Sequence, residues 1–356
     1  MTMAPTIRIE NRDIGAGYPP YVIAELSANH NGSLDQAFAI IDAAVRAGAD
    51  AIKLQTYTAD TLTIDCDAPD FIVQGGLWDG YKLYDLYQWA HTPFEWHRAL
   101  FDYAHKRQIT IFSTPFDESA VELLEALGAP AYKIASFEIV DLPLIRCVAR
   151  TGKPIIMSTG MASEQEVDDA VTAAREEGCK DLVLLHCISS YPAPMDQANL
   201  RQIPELAKRF CTIPGLSDHT MGTTASIAAV ALGACVIEKH FTLSRADKGP
   251  DSAFSLEPAE LERLCVDAQD AWMALGKAGF ERKRAEENSK VFRRSIYFVR
   301  DLPAGAVVGP GDIRRIRPGM GLAPKHFDQI VGKRLIRAVT RGTATQWSLF
   351  DEQDER

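Results

Sequence analysis

Residues 212–220 read Thr-Ile-Pro-Gly-Leu-Ser-Asp-His-Thr, and residues 235–241 read Cys-Val-Ile-Glu-Lys-His-Phe. Each stretch starts as a short apolar run and ends in ionisable residues. Between them, 222–232 is a helical pattern closed by Gly233. Strand, helix and strand in this order form a unit whose two strands run parallel and are covered on both faces. Their carboxyl ends then share one edge, and the polar residues meet there.

The same alternation extends in both directions. Strand candidates are Tyr21–Leu26, Ala51–Gln55, Thr110–Thr114, Ala131–Ala135, Pro154–Ser158, Leu182–Cys187, Thr212–Ser217 and Cys235–Phe241. Helical patterns separate them at Ser33–Ala47, Pro93–Lys106, Glu118–Leu127, Leu142–Thr151, Ser163–Glu177, Asn199–Arg209 and Gly222–Leu232, and a last one follows at Pro258–Leu275. Gly48, Gly128 and Gly233 each sit just past a helix, where a left-handed residue ends it. Eight such units over about 250 residues fit a closed (β/α)8 TIM barrel, an α/β fold. An open doubly wound sheet is the alternative, but no Gly-x-Gly-x-x-Gly follows the first strand. The barrel is assigned residues 1–275. A charged linker spans 276–290, and a small β-rich domain fills 291–356, with strands near 295–299, 307–308, 314–316 and 334–338. The loop from Thr56 to Thr92 is long and aromatic, as a lid, a binding loop or a hydrophobic cover over the rim would be.

Bulk properties exclude several roles. The net charge is −10, the wrong sign for a surface that tracks nucleic-acid phosphates. No apolar run reaches membrane-spanning length, and residues 1–10 lack an apolar signal core, so a cytoplasmic location is expected. Seven scattered cysteines without a Cys-x-x-Cys pair argue against a disulfide framework or a structural zinc site.

Barrel enzymes place their chemistry at the carboxyl ends of the strands. In chain order those ends offer Glu25; Lys53 and Gln55; Ser113 and Thr114; Lys133, Ser136 and Glu138; Ser158; His186; Ser217, Asp218 and His219; and Glu238, Lys239 and His240. One buried ion is commonly a structural pair. A whole ring of them indicates a site, because each unpaired buried ion costs several kcal/mol. Lys53 and Lys133 suggest an anionic substrate. His219 and His240 end adjacent strands, where two imidazoles can share a divalent ion. Glu25 is a candidate third ligand, and Mn²⁺ or Mg²⁺ suits an oxygen-rich remainder better than structural zinc. Asp251, in the Gly-Pro turn after the last strand, could hold sugar hydroxyls.

Seven motifs in order carry a resemblance: Ala24-Glu25-Leu26-Ser27-Ala28-Asn29-His30-Asn31-Gly32, Lys53-Leu54-Gln55, Ser113-Thr114-Pro115-Phe116, Lys133-Ile134-Ala135-Ser136, Ser158-Thr159-Gly160-Met161, Gly215-Leu216-Ser217-Asp218-His219-Thr220 and Glu238-Lys239-His240-Phe241-Thr242. The chain resembles the sialic acid synthase family from about residue 20 to its end. Its last segment looks like that family's antifreeze-like (SAF) domain. Gly75-Gly76-Leu77-Trp78, Leu83–Tyr87 and Ala90–His97 are most similar to the pseudaminic acid synthase branch. The turn Ile188-Ser189-Ser190-Tyr191-Pro192 lacks the Asn common in members that use N-acetylmannosamine.

The resemblance implies a transferase that condenses phosphoenolpyruvate with 2,4-diacetamido-2,4,6-trideoxy-L-altrose and water, breaking the C–O bond of phosphoenolpyruvate to give pseudaminic acid and phosphate. Lys53, Lys133, Ser136, Ser158 and Thr114 would bind phosphoenolpyruvate. Gln55, Tyr191, Asp251 and Arg317 would bind the sugar. Glu25, Glu138 and Asp251 would act in catalysis, and His219 and His240 would hold the metal. Arg317 would come from the small domain of the other subunit, which implies a domain-swapped homodimer. The alternatives are an N-acetylneuraminic or legionaminic acid synthase, a non-catalytic sugar- or anion-binding barrel, and a Schiff-base aldolase.

Overall fold

The computed structural model describes residues 5–351; residues 1–4, part of the amino-terminal stretch read for a signal core, and residues 352–356 lie outside the described residues. The chain divides into two compact units, 1–276 and 277–356. The first unit opens with an antiparallel hairpin of β1 (Ile7–Ile9) and β2 (Arg12–Ile14). Eight strands follow: β3 (Tyr21–Glu25), β4 (Ala51–Thr56), β5 (Thr110–Pro115), β6 (Tyr132–Ile134), β7 (Ile155–Ser158), β8 (Leu182–Cys187), β9 (Ile213–Asp218) and β10 (Val236–His240). They close into a barrel in chain order, with β10 pairing back onto β3, and all neighbours are parallel. All eight expected strands are present.

Local chemistry sets the helices between them. Ser33 caps the helix Leu34–Ala47 by accepting from the Gln36 amide, and Gly48 ends it at φ 83°. Ser163 and Glu166 form a reciprocal capping box at Glu164–Glu176. The pattern expected as one helix over Pro93–Lys106 is two pieces, a 3₁₀ turn at Phe94–Trp96 and a helix at His97–Lys106.

Alternation along each strand separates two cores. Val22, Ala24, Ile52, Leu54, Leu184 and Ile237 face the helical layer. Tyr21, Ile23, Ala51, Phe112, Val183 and Val236 face the barrel axis. The hairpin, which the sequence reading missed, adds Ile7, Ile9 and Ile14 to that inner cluster. Most of its barrel members begin their strands, so the hairpin packs on the amino-terminal end. The carboxyl end is left for polar groups.

In the second unit β11 (Ser295–Phe298) pairs antiparallel with β12 (Ile313–Ile316). Ile296, Phe298, Val308, Ile313, Leu335 and Phe350 form its own core. The expected strands near 307 and 334 are reduced to single bridges, Val307 with Arg334 and Leu335 with Phe350. Within the segment read as a linker, an exposed 3₁₀ helix begins at Arg284 and runs to Phe292. Among the described residues no helix is long and apolar enough to cross a membrane.

Ile9 is fully buried, whereas Ile64 is 60% exposed. Ile9→Ala should lower the unfolding free energy by about 2–5 kcal/mol in denaturant titrations, and Ile64→Ala should change it by less than about 0.5 kcal/mol. Equal stabilities would mean that the hairpin is not part of the core.

Candidate active site

Strand register decides which strand-end groups reach the axis. Glu25 lies opposite Lys53 in the ladder, and Gln55 opposite Thr114. Lys53 Nζ lies 2.6 Å from Glu25 Oε2 and donates to Thr114 Oγ1 at 2.9 Å. Gln55 donates to Glu25 Oε1 at 2.9 Å. From the other side, Glu238 sits 3.4 Å from Lys133 and 3.9 Å from Lys53, and accepts from Ser217 Oγ at 2.8 Å. Glu25, Lys53, Lys133 and Glu238 are all buried. The sequence reading placed Glu238 at a strand end but gave it no role. It is the carboxylate shared by both lysines.

The intervening residues point outward and belong to the scaffold. Lys239 pairs with Asp218 at 2.9 Å behind the barrel wall. Asp218 also accepts from Thr220 N, Thr220 Oγ1 and Ser226 Oγ. Ser113 and His97 bond Thr56 Oγ1 at 2.6 and 2.8 Å. His186, counted in the ring of strand ends, instead donates through Nε2 to Ala198 O at 2.8 Å. Its neighbour Cys187 contacts His219 Nδ1 at 3.9 Å.

The charges are unevenly held. Burial would favour neutral Lys53, but Glu238 and Glu25 outweigh it and raise its pKa. Lys133 has only Glu238 close by, so burial wins and lowers its pKa. Burial raises the Glu25 carboxyl against the pull of Lys53. Burial would also raise Glu238, yet the two ammonium groups hold it below the usual carboxylate range.

His219 and His240 face each other, with ring centroids 5.5 Å apart. His219 Nδ1 lies 2.9 Å from Ile188 O. A carbonyl only accepts, so Nδ1 carries the proton, and in the neutral imidazole Nε2 keeps its lone pair. Burial opposes the charged ring, but Cys187 and the Ile188 carbonyl outweigh it and raise the pKa. His240 Nδ1 is buried without a hydrogen-bond partner, 3.9 Å from Asp251 Oδ2. Two facing imidazoles with spare lone pairs fit a shared divalent ion. Among the described residues no group of three or more His, Cys, Asp or Glu is arranged to hold one. Glu25, the candidate third ligand, is engaged by Lys53 and Gln55, so water and substrate oxygens would complete the shell.

Asp251 is held by Ser27 Oγ. The Tyr191 ring packs tilted against His219, with centroids 4.5 Å apart, and against Phe254 at 5.2 Å; the Phe254 ring lies 4.9 Å from His240. Ser136 Oγ meets Ser189 Oγ at 2.7 Å, and Ser158 Oγ is buried without a partner. Gly160 closes this corner at φ 50°. A Cβ there would sit 2.5 Å from Ser136 Cβ, so only glycine fits. Glu138 Oε2 is buried and unpartnered, and burial pushes its carboxyl up to about 7. Arg317 lies in the second unit, exposed, just past β12.

A cavity of about 360 Å³ opens above this ring. Gln55, Glu138, Tyr191, His240 and Asp251 line its polar side. The 56–92 loop supplies the opposite wall, including Tyr57, Leu62, Trp78 and Tyr87. Trp78 ties the loop down by donating to Pro250 O at 3.1 Å. The aromatic loop is therefore part of the site.

The model of the NeuB family matches residues 40–279, and that of the SAF domain matches residues 293–351. The chain belongs to the NeuB family. It is 43% identical to the pseudaminic acid synthase of Campylobacter jejuni (serotype O:23/36) over 93% of this chain and 96% of that one. It is also 43% identical to the pseudaminic acid synthase of Helicobacter pylori, over 91% and 96%. The N,N'-diacetyllegionaminic acid synthase of Legionella pneumophila is 37% identical over 94% and 95%. The crystal structure of the sialic acid synthetase of Leptospira borgpetersenii superposes with TM-score 0.73 at 32% identity, covering 80% of this chain and 95% of that one. The family resemblance and SAF domain read from the motifs, and the TIM barrel read from the alternation of strands and helices, are borne out.

Glu138 gives this NeuB-family chain a testable pH signature. Its folded pKa of about 7 lies above the unfolded value of 4.5. Its stabilising contribution is full below pH 4.5 and is lost as pH rises through 7. The difference in Tm between the natural chain and Glu138→Gln should fall across that window and be flat above it. A difference that does not vary with pH would mean that folding does not raise the Glu138 pKa.

Proposed function

We propose that the chain is a pseudaminic acid synthase, condensing phosphoenolpyruvate with 2,4-diacetamido-2,4,6-trideoxy-L-altrose and releasing phosphate. The observation that carries the reading is the pair Lys53 and Lys133, which meet at Glu238 inside the barrel. A dianion with two separate acidic groups is the natural ligand for two ammonium groups. The identity to synthases of this activity over most of both chains supports the same reading.

In this reading Lys53, Lys133, Thr114, Ser136 and Ser158 bind the phosphate and carboxylate of phosphoenolpyruvate. Gln55, Tyr191 and Asp251 orient the sugar aldehyde. The methylene carbon of phosphoenolpyruvate attacks the aldehyde carbon, and the aldehyde oxygen takes a proton by way of Asp251 or Glu25. Water adds to C2, giving its proton to Glu138. The resulting tetrahedral centre expels phosphate by C–O cleavage, and the C2 hydroxyl proton leaves with the phosphate as the ketone forms. His219 and His240 would hold Mn²⁺ or Mg²⁺, which as a Lewis acid supplies charge stabilisation at the aldehyde oxygen. We read the enzyme as cytoplasmic and as a domain-swapped homodimer, in which Arg317 reaches the sugar of the partner's barrel.

Phosphate release from phosphoenolpyruvate should proceed with the altrose acceptor, more weakly with N-acetylmannosamine, and stop with EDTA until Mn²⁺ is added. Glu138→Gln should lower kcat about 10²–10⁴-fold, and Lys53→Met and Lys133→Met should raise the KM for phosphoenolpyruvate. Arg317→Ala should raise the sugar KM and leave that for phosphoenolpyruvate unchanged. Preference for N-acetylmannosamine, or a rate indifferent to EDTA, would overturn the corresponding part of the reading.

A further inference from the structure

We infer that the 56–92 loop is the specificity element for the far end of the acceptor sugar, and that it selects a deoxygenated, methyl-bearing end. The inference rests on the synthase reading above and names which residues choose the substrate. The cavity has two unlike sides. The side next to the ring carries Gln55, Glu138, His240 and Asp251, groups that can bind an aldehyde and its neighbouring hydroxyls. Neither of the phosphoenolpyruvate lysines lines it. The sugar's reacting end therefore belongs on the polar side, and its other end must extend towards the loop.

The loop's contribution to that wall is chiefly hydrocarbon, with the phenol hydroxyls of Tyr57 and Tyr87 its polar exceptions. Leu62, Val73 and Leu83 are half-buried and line the cavity with Leu86. The indole N–H of Trp78, which could have served a hydroxyl, is spent on Pro250 O. Among the described residues no lysine or arginine lines the cavity, and its only carboxyl groups are those of Glu138 and Asp251. A terminal phosphate or carboxylate would meet no cation there and two carboxyl groups across the cavity. A terminal hydroxyl would be desolvated against leucine and valine, whereas a methyl would exchange water for hydrocarbon.

The wall is built rather than draped. Thr58 caps the short helix Ala59–Leu62 and forms a capping box with Thr61. Val73 exchanges backbone bonds with Gly80 and Tyr81, and Ile72 bridges to Lys82. Lys82 pairs with Asp65 at 2.6 Å and reaches Asp67, which fastens the stretch between them. The helix Leu83–Ala90 then places Leu83, Leu86 and Tyr87 on the cavity. The apolar positions are held by local bonds, so the wall can discriminate shape and polarity.

The test compares two acceptors that differ only at the last carbon, 2,4-diacetamido-2,4,6-trideoxy-L-altrose and its 6-hydroxy counterpart. It uses the full-length chain with phosphoenolpyruvate and Mn²⁺, and reads kcat/KM from phosphate release. The natural chain should prefer the deoxy sugar by about 10–200-fold, the range that an apolar pocket achieves for so small a change. Leu62→Asn, Val73→Asn and Leu83→Asn are each measured, with Leu62→Met and Leu83→Met as conservative partners. At least one Asn variant should lose most of the preference through a raised KM for the deoxy sugar, with the KM for phosphoenolpyruvate unchanged. The Met variants should keep the preference. An unchanged phosphoenolpyruvate KM also shows that the barrel of each variant is folded. No preference in the natural chain, or a preference that survives all three Asn variants, overturns the inference and leaves the synthase reading intact. No phosphate release with either sugar instead overturns the synthase reading itself.

Discussion

Two ammonium groups buried within one barrel should not be stable, and Glu238 is what permits them. It lies between Lys133 at 3.4 Å and Lys53 at 3.9 Å, with Glu25 closing on Lys53 from the other side. Each ion taken from water costs several kcal/mol unless it is paired. Two carboxylates for two lysines balance the charge without neutralising the site chemically. A ligand with two acidic groups can compete for the same ammonium groups, and the lysines need not be carried in from solvent.

The rest of the barrel supports that arrangement. Apolar residues fill the amino-terminal half of the axis, and the hairpin of Ile7, Ile9 and Ile14 packs against them. Water is kept from the lower half, so the polar groups are concentrated at the carboxyl end. The outward pair Lys239 and Asp218 fixes the ends of β9 and β10 from behind. Those are the strands that present His219 and His240. Glu238 and His240 lie two residues apart on one strand, so the lysine counter-ion and one of the two paired imidazoles share a single register.

The loop over the mouth completes a division of labour. The barrel supplies charge, and the loop supplies hydrocarbon and shape. Trp78 reaches across to Pro250 and also packs on Tyr191, which in turn packs against His219. The aromatic cover therefore touches the groups it encloses, and the loop wall is mechanically joined to the histidine pair.

The order of elements and the end of the barrel that carries chemistry were legible in the sequence. Apolar runs ending in polar residues encode both, and parallel strands bring those ends to one rim. The partnership of the polar groups was not legible. In β8 the run Leu182–Leu185 is apolar at every position, so alternation gives no parity, and only the ladder shows that His186 faces the helices. Glu238 was visible as a residue, but its role depends on β4 and β6 aiming lysines at it across the barrel. The three-residue strands of the hairpin were too short to carry a period. Local pattern fixes what each segment is, whereas strand register and barrel closure fix which side chains share a dielectric, and charge pairing depends on the second.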